Sequence, residues 1–190
     1  MTKLKIDPLT PEHWDDFVQL FGKNGACAGC WCMWWRLPRA QWVKGKGDAN
    51  KRAIRDLVNG DTVTGLLAYA GRLPVGWCAI APRAEYPRLA KSRTLQPVDD
   101  QPVWSVTCFF VARPWRRRGV TVELLKAAVK FAGRHGARIV EGYPVEPKKD
   151  QPDAFVYTGL ASAFRQAGFN EVLRRSPTRP IMRCEVAVRR

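Results

Sequence analysis

Residues 103–121 read VWSVTCFFVARPWRRRGVT, and they constrain the fold more than any other stretch. Val103 to Val111 is dense in β-branched and aromatic side chains, the composition of a central strand. It runs directly into the arginine-rich segment Ala112 to Arg118. From Gly119 to about His135, Val122, Leu125, Ala128, Val129 and Ala132 recur on one helical face. A buried strand therefore feeds a helix amino terminus through a tight basic turn. Such a terminus carries unpaired backbone amides and the positive end of the helix dipole, and Gly119 has no side chain to hold a ligand away. The chemistry on offer is binding of a diphosphate or similar anion. The plainer reading is that arginines after Pro114 coat a solvated turn. The segment is neither a nucleotide P-loop, which needs a longer glycine loop before its Lys and Ser or Thr, nor a dinucleotide fingerprint with three spaced glycines.

The other periodicities set this unit in a larger order. Leu4 to Leu9 reads as a strand, and Thr10, Pro11 and Glu12 open a helix carrying Trp14, Phe17, Val18 and Phe21 as far as Gly22. Gly25 to Trp42 has no clear period. Asp48 is a plausible cap for a second helix through Ala53, Ile54, Leu57 and Val58, closed by Asn59 and Gly60. Gly65 to Ala70 and Val75 to Ala81 read as a hairpin. Pro82 to Pro102 reads as a long loop, of the kind that forms a lid or binding surface. A strand over Arg138 to Val145, a helix over Leu160 to Gln166 and strands over Phe169 to Leu173 and Ile181 to Val188 complete the chain. This alternation predicts an α/β (α+β) fold, a mixed sheet covered on both faces, with ligands at the carboxyl end of the central strand. At 190 residues and 46% hydrophobic content the chain fills one sizeable core, so a single domain over 1–190 is expected.

Thirty-two Lys and Arg against 17 Asp and Glu give a net charge of +15, which attracts anionic partners, coenzyme A among them. Charge alone is a poor argument for nucleic acid, and no recognition-helix motif, paired zinc finger or RNA clamp accompanies it, so no nucleic-acid partner is expected. No signal peptide or membrane-length apolar run is present. Six cysteines without a disulfide framework fit a reducing cytoplasm.

Arg116, Gly119 and Thr121 resemble the signature of the GNAT superfamily of N-acetyltransferases: Arg or Gln, two residues, Gly, one residue, then Gly or Ala. Thr121 is the one departure, and its hydroxyl either joins phosphate binding or crowds the turn. Phe164, Gly168 and Phe169, in AFRQAGF, match a second family feature near the carboxyl terminus, and the element order fits over almost the whole chain. The resemblance implies a mostly antiparallel sheet and acetyl-CoA as acyl donor, with coenzyme A as product. It implies that backbone groups of Phe109, Phe110 and Val111 pair with the pantetheine arm and that the amides of Arg117, Arg118, Gly119 and Val120 hold the pyrophosphate. Arg116 and Arg118 would add charge, with Arg113 and Arg117 as competitors.

The chemistry needs a neutral amine, a polarised acyl carbonyl and a proton for the leaving thiolate, with no covalent acyl-enzyme. Many relatives use a tyrosine near the last helix as the acid, where this chain has Phe164. Tyr157 is the nearest replacement and Tyr143 the second, unless both rings pack and water serves. Glu141 or Glu85 could act as base, and Glu141 could equally be a paired strand carboxylate. His13, His135 and Cys108 are not preferred. In CAGCWCMWWR, Cys27, Cys30 and Cys32 lack a fourth metal ligand, and no metal site is expected. Trp31, Trp34 and Trp35 either wall an acceptor pocket or fill the core. The expected acceptor is a small-molecule amine, an amino acid or a peptide. A protein lysine or amino terminus, or a non-catalytic acyl-CoA-binding role, is the alternative. Sparse carboxylates argue against a polycationic acceptor, and a homodimer is plausible.

Overall fold

The computed structural model describes residues 3–149 and 152–187. Trp14, Phe17, Leu20 and Phe21 turn the inner face of helix α1 (Trp14–Phe21) onto the sheet, after strand β1 (Leu4–Pro8) and a 3-10 turn begun by Pro11. Helices α2 (Arg39–Lys44) and α3 (Asp48–Asn59) follow. Asp48 is the first residue of α3, not its cap; Gly47 takes that place at φ +87°. Between α1 and α2 the chain is irregular, with Ala26, Ala28, Trp31 and Cys32 all at positive φ, which breaks any helical or strand period.

Strands β2 (Gly65–Ala70) and β3 (Leu73–Pro82) form the expected hairpin, and β4 (Trp104–Val111) pairs antiparallel with β3. The stretch between β3 and β4 carries a 3-10 turn (Arg83–Glu85) and a short helix, α4 (Pro87–Ala90), which the sequence reading left as loop. Helix α5 (Val120–Arg134) leads to β5 (Ile139–Gly142), α6 (Ala161–Gln166), β6 (Asn170–Arg174) and β7 (Pro180–Glu185). Strand β5 is shorter than expected at both ends. Of the proposed last strand, Val188 lies outside the described residues.

The seven strands make one sheet in the order β1-β2-β3-β4-β5-β7-β6, antiparallel throughout except for β4 beside β5. Alternate residues divide the core. Leu66, Val75, Cys78, Ile80, Val106 and Phe109 pack under α5 and α6, while Leu67, Tyr69, Trp77 and Ala79 pack under α1 and α3. Among the described residues no helix is long and apolar enough to cross a membrane.

Candidate active site

The site begins with one extra residue. Ala79 faces Cys108 and Ile80 faces Val106, which leaves Thr107 without a partner on β3. Such a bulge bends a strand and increases its twist. On its other edge β4 meets β5 only through Trp104, Ser105 and Val106, so the two strands part where the bulge sits. Beyond that point residues 157–160 lie across the gap: the Phe109 amide donates to the Tyr157 carbonyl at 2.6 Å, and the Val145 amide donates to the Gly159 carbonyl at 2.8 Å. Gly159 is at φ +87°, where a Cβ would stand 2.8 Å from the Phe164 ring and 3.0 Å from the Phe109 ring.

By alternation the Val111 amide faces the same edge as that of Phe109, whereas Phe110 turns its backbone toward Trp77, as Ala112 donates to the Val75 carbonyl at 3.0 Å. Of the three residues expected at the pantetheine arm, Val111 thus presents its amide to the gap, Phe109 gives its amide to Tyr157, and Phe110 is spent on β3 with its ring on Phe21.

At the end of the gap Arg113–Trp115 make a 3-10 turn, Arg117 and Gly119 lie at φ +60° and +78°, and α5 starts at Val120 with no side chain capping it. A Cβ on Gly119 would meet nothing within 4 Å, so the space before the first-turn amides is open. Arg117 and Arg118 are exposed there, Arg118 lying 5.6 Å from the Trp115 ring, and Thr121 is half-buried. Arg116 donates its Nε to the Val111 carbonyl at 3.0 Å and so ties the turn to the end of β4. Glu123, in the first turn, is answered by Lys126 at 3.0 Å. Uncapped amides, open space and excess guanidinium suit a diphosphate.

On the α1–α3 side of the gap, Cys108 meets Cys32 at 3.4 Å between sulfurs, and the Trp77 indole donates to Cys32 at 2.8 Å. Burial pushes the Cys32 thiol well above its ordinary pKa and that of Cys30 up to about 11, so neither is a ready thiolate. Cys27 is exposed, and among the described residues no group of three metal-ligating side chains converges. Tyr157 stands beside Cys108, Arg179, Arg88 and the Trp34 indole. Burial, reinforced by Cys108, pushes its phenol up to about 12 against the opposing pull of those cations and the indole N–H.

Glu141 and Tyr143, the other expected catalytic residues, lie at the opposite end of β4. Glu141 is 1% exposed and opposes Ser105, before the strands part. Its oxygens accept from Arg83 at 2.9 Å, Arg183 at 2.7 Å and the Tyr143 hydroxyl at 2.7 Å, and Arg183 also pairs with Asp99 at 2.6 Å. Tyr143 also shares a hydrogen bond with Ser105 at 2.8 Å, and burial holds its proton well above the ordinary phenol range. Both Glu141 oxygens are thus taken up by partners within the fold. The placement sets both residues at the Trp104 end of β4, away from the parting of β4 and β5. A cleft of about 270 Å³ opens beside them, lined by Arg83, Asp99, Glu141 and Arg183, whose charges already answer one another.

The tryptophans separate. Trp31 is core, 5.6 Å from Phe21 and 5.9 Å from Phe17, and Trp35 packs against the cluster of Tyr86, Leu89 and Tyr143. Trp34 alone reaches Tyr157, edge-on to Trp42 at 4.7 Å and with the Arg88 guanidinium 3.6 Å above its ring. Glu85 pairs with the buried Arg36 at 2.9 Å. Phe164 is fully buried, and a Cβ on Gly142 would collide with its ring at 2.1 Å, which explains the glycine at 142. Arg88, in the long β3–β4 connection, is the site residue the sequence reading did not name; its only signal was that the connection was too long to be idle.

The profile of the Acetyltransferase (GNAT) family matches residues 31–154, about two thirds of the chain. The chain belongs to the GNAT family of acetyltransferases. The GNAT fold extends beyond the matched residues. The PaiA N-acetyltransferase of Thermoplasma acidophilum, in complex with coenzyme A, superposes with a TM-score of 0.53 at 12% identity over 96% of this chain and 99% of that one. An aminoglycoside N-acetyltransferase, also in complex with coenzyme A, gives 0.55 at 17% identity over 93% of each chain. The ribosomal-protein-S18-alanine N-acetyltransferase of Escherichia coli gives 0.52 at 11% identity over 98% and 96%. At such identities the likeness is one of fold. No curated protein sequence matches the chain.

Proposed function

We propose that this GNAT protein works as one cytoplasmic domain that moves an acetyl group from acetyl-CoA directly to a primary amine of a small molecule, amino acid or peptide. The parting of β4 and β5 at Thr107 carries this reading, because it lies between the open anion-binding turn and Tyr157 with its neighbours Trp34 and Arg88. The amides of Val120 and Thr121, with Arg117 and Arg118, would hold the diphosphate, and the Val111 amide would hold the pantetheine arm. Acetyl-CoA, when bound, supplies an activated thioester. Tyr157, kept protonated by burial, donates to the departing sulfur. Trp34 and Trp42 wall the acceptor side. Among the described residues no carboxylate stands beside Tyr157 to act as base, and the amine loses its proton to water.

The test is thiol release from acetyl-CoA by the purified protein with a panel of amines, amino acids and short peptides, against controls lacking acceptor. Acceptor-dependent release with a mass-confirmed acetylated product is expected. Failure to bind acetyl-CoA would overturn the assignment of the turn, and binding without turnover across the panel would overturn the proposed acceptor class.

A further inference from the structure

Several half-buried arginines of this chain are answered by carboxylates, and those on the acceptor side of the gap are not, among the described residues. Among the described residues Arg36, Arg83, Arg174 and Arg183 each form an ion pair, whereas Arg39, Arg88 and Arg179 form none. Arg88 is half-buried. Its guanidinium lies 3.6 Å from the centroid of Trp34, and one Nη donates to the Trp34 carbonyl at 3.0 Å. Among the described residues its Nε and other Nη have no acceptor. Burial holds its pKa below the ordinary arginine value; Tyr157 acts in the opposite sense and Arg39 adds to the fall. Arg179, held by the Thr158 hydroxyl at 3.0 Å, faces the same phenol.

A planar cation stacked on an indole, with donors left over, is a pre-oriented fork, and the group that fits a guanidinium fork is a carboxylate. We infer that Arg88 binds a carboxylate carried by the acceptor, which makes the acceptor an amine of the amino-acid class and not a polycation. This rests on the acceptor side assigned above. The same cations also act on the amine. A positive field favours loss of the ammonium proton, and it repels any ammonium that brings no anion of its own.

The experiment compares free L-amino acids with their carboxamides, in calorimetric binding with coenzyme A present and in acetyl transfer. The free acids are expected to bind and react about tenfold better or more. Arg88→Gln should bring the two sets to parity through KM with little change in kcat, and Arg88→Lys should keep part of the preference; melting temperatures check that both variants fold. Preference in binding with no turnover of any compound would keep the clamp and overturn the transferase reading. Equal acetylation of acids and carboxamides would do the reverse. Failure of every compound in both sets to bind would overturn the clamp.

Discussion

The two ends of β4 use the same kinds of side chain to opposite effect. At the Trp104 end, Glu141, Asp99 and two arginines answer one another across β3, β5 and β7, with Tyr143 and Ser105 completing the hydrogen bonds. At the Phe109 end, Arg88 and Arg179 flank Tyr157 and, among the described residues, meet no carboxylate. Charge buried with its partner is architecture: it costs desolvation and leaves nothing for a ligand. Cations left without a partner beside an opening are what a ligand can complete.

The largest expected effect that would sharpen this contrast is on stability at the closed end. Glu141→Gln leaves the largely buried Arg83 without a carboxylate and Arg183 with Asp99 alone, and should cost about 3 kcal/mol in denaturant unfolding; a loss below about 1 kcal/mol would show that the network is not structural. At the open end, Tyr157→Phe should lower kcat about 10- to 100-fold without changing the KM for acetyl-CoA. Its titration has a definite sign. The folded phenol keeps its proton to about pH 12, while an unfolded tyrosine releases it near 10. Between those values the folded state holds a proton the unfolded chain has lost, so stability from this residue falls as pH rises through that window and is intact below it. Tyr157→Phe should flatten that part of the stability profile.

Gly119→Val places a β-branched residue at φ +78° and should raise the KM for acetyl-CoA about tenfold at a cost of about 1–2 kcal/mol. An unchanged KM would mean that the diphosphate binds elsewhere. The smallest effect concerns the family aromatic position. Phe164→Tyr adds a hydroxyl to a ring sealed against Gly142, so it should lose about 1–2 kcal/mol of stability and gain no rate. A gain in kcat would return the acid to that position.

Local chemistry was legible in the sequence, and long-range pairing was not. The β4 strand, the arginine turn, Gly119 and α5 are contiguous, so composition and period alone identified them, and Phe164, Gly168 and Phe169 did the same for the end of α6. Base and paired strand carboxylate stayed open for Glu141 because its partners Arg83 and Arg183 are 58 and 42 residues away, and nothing near it in the chain reveals that both of its oxygens are taken. Trp31, Trp34 and Trp35 are nearly adjacent yet go to the core, to the neighbourhood of Tyr157 and to a second core, because positive φ at Trp31 and Cys32 redirects the chain between them. Arg88 was hidden by a four-residue helix too short to leave a periodic trace.

The central claim is most directly tested by measuring kcat for Glu141→Gln and Tyr157→Phe side by side, each per folded molecule, with saturating acetyl-CoA and the best acceptor. The account predicts that Glu141→Gln turns over at the wild-type rate while Tyr157→Phe falls at least about tenfold. A full-rate Tyr157→Phe beside a silent but folded Glu141→Gln would contradict it, and would place the chemistry at the closed end of β4.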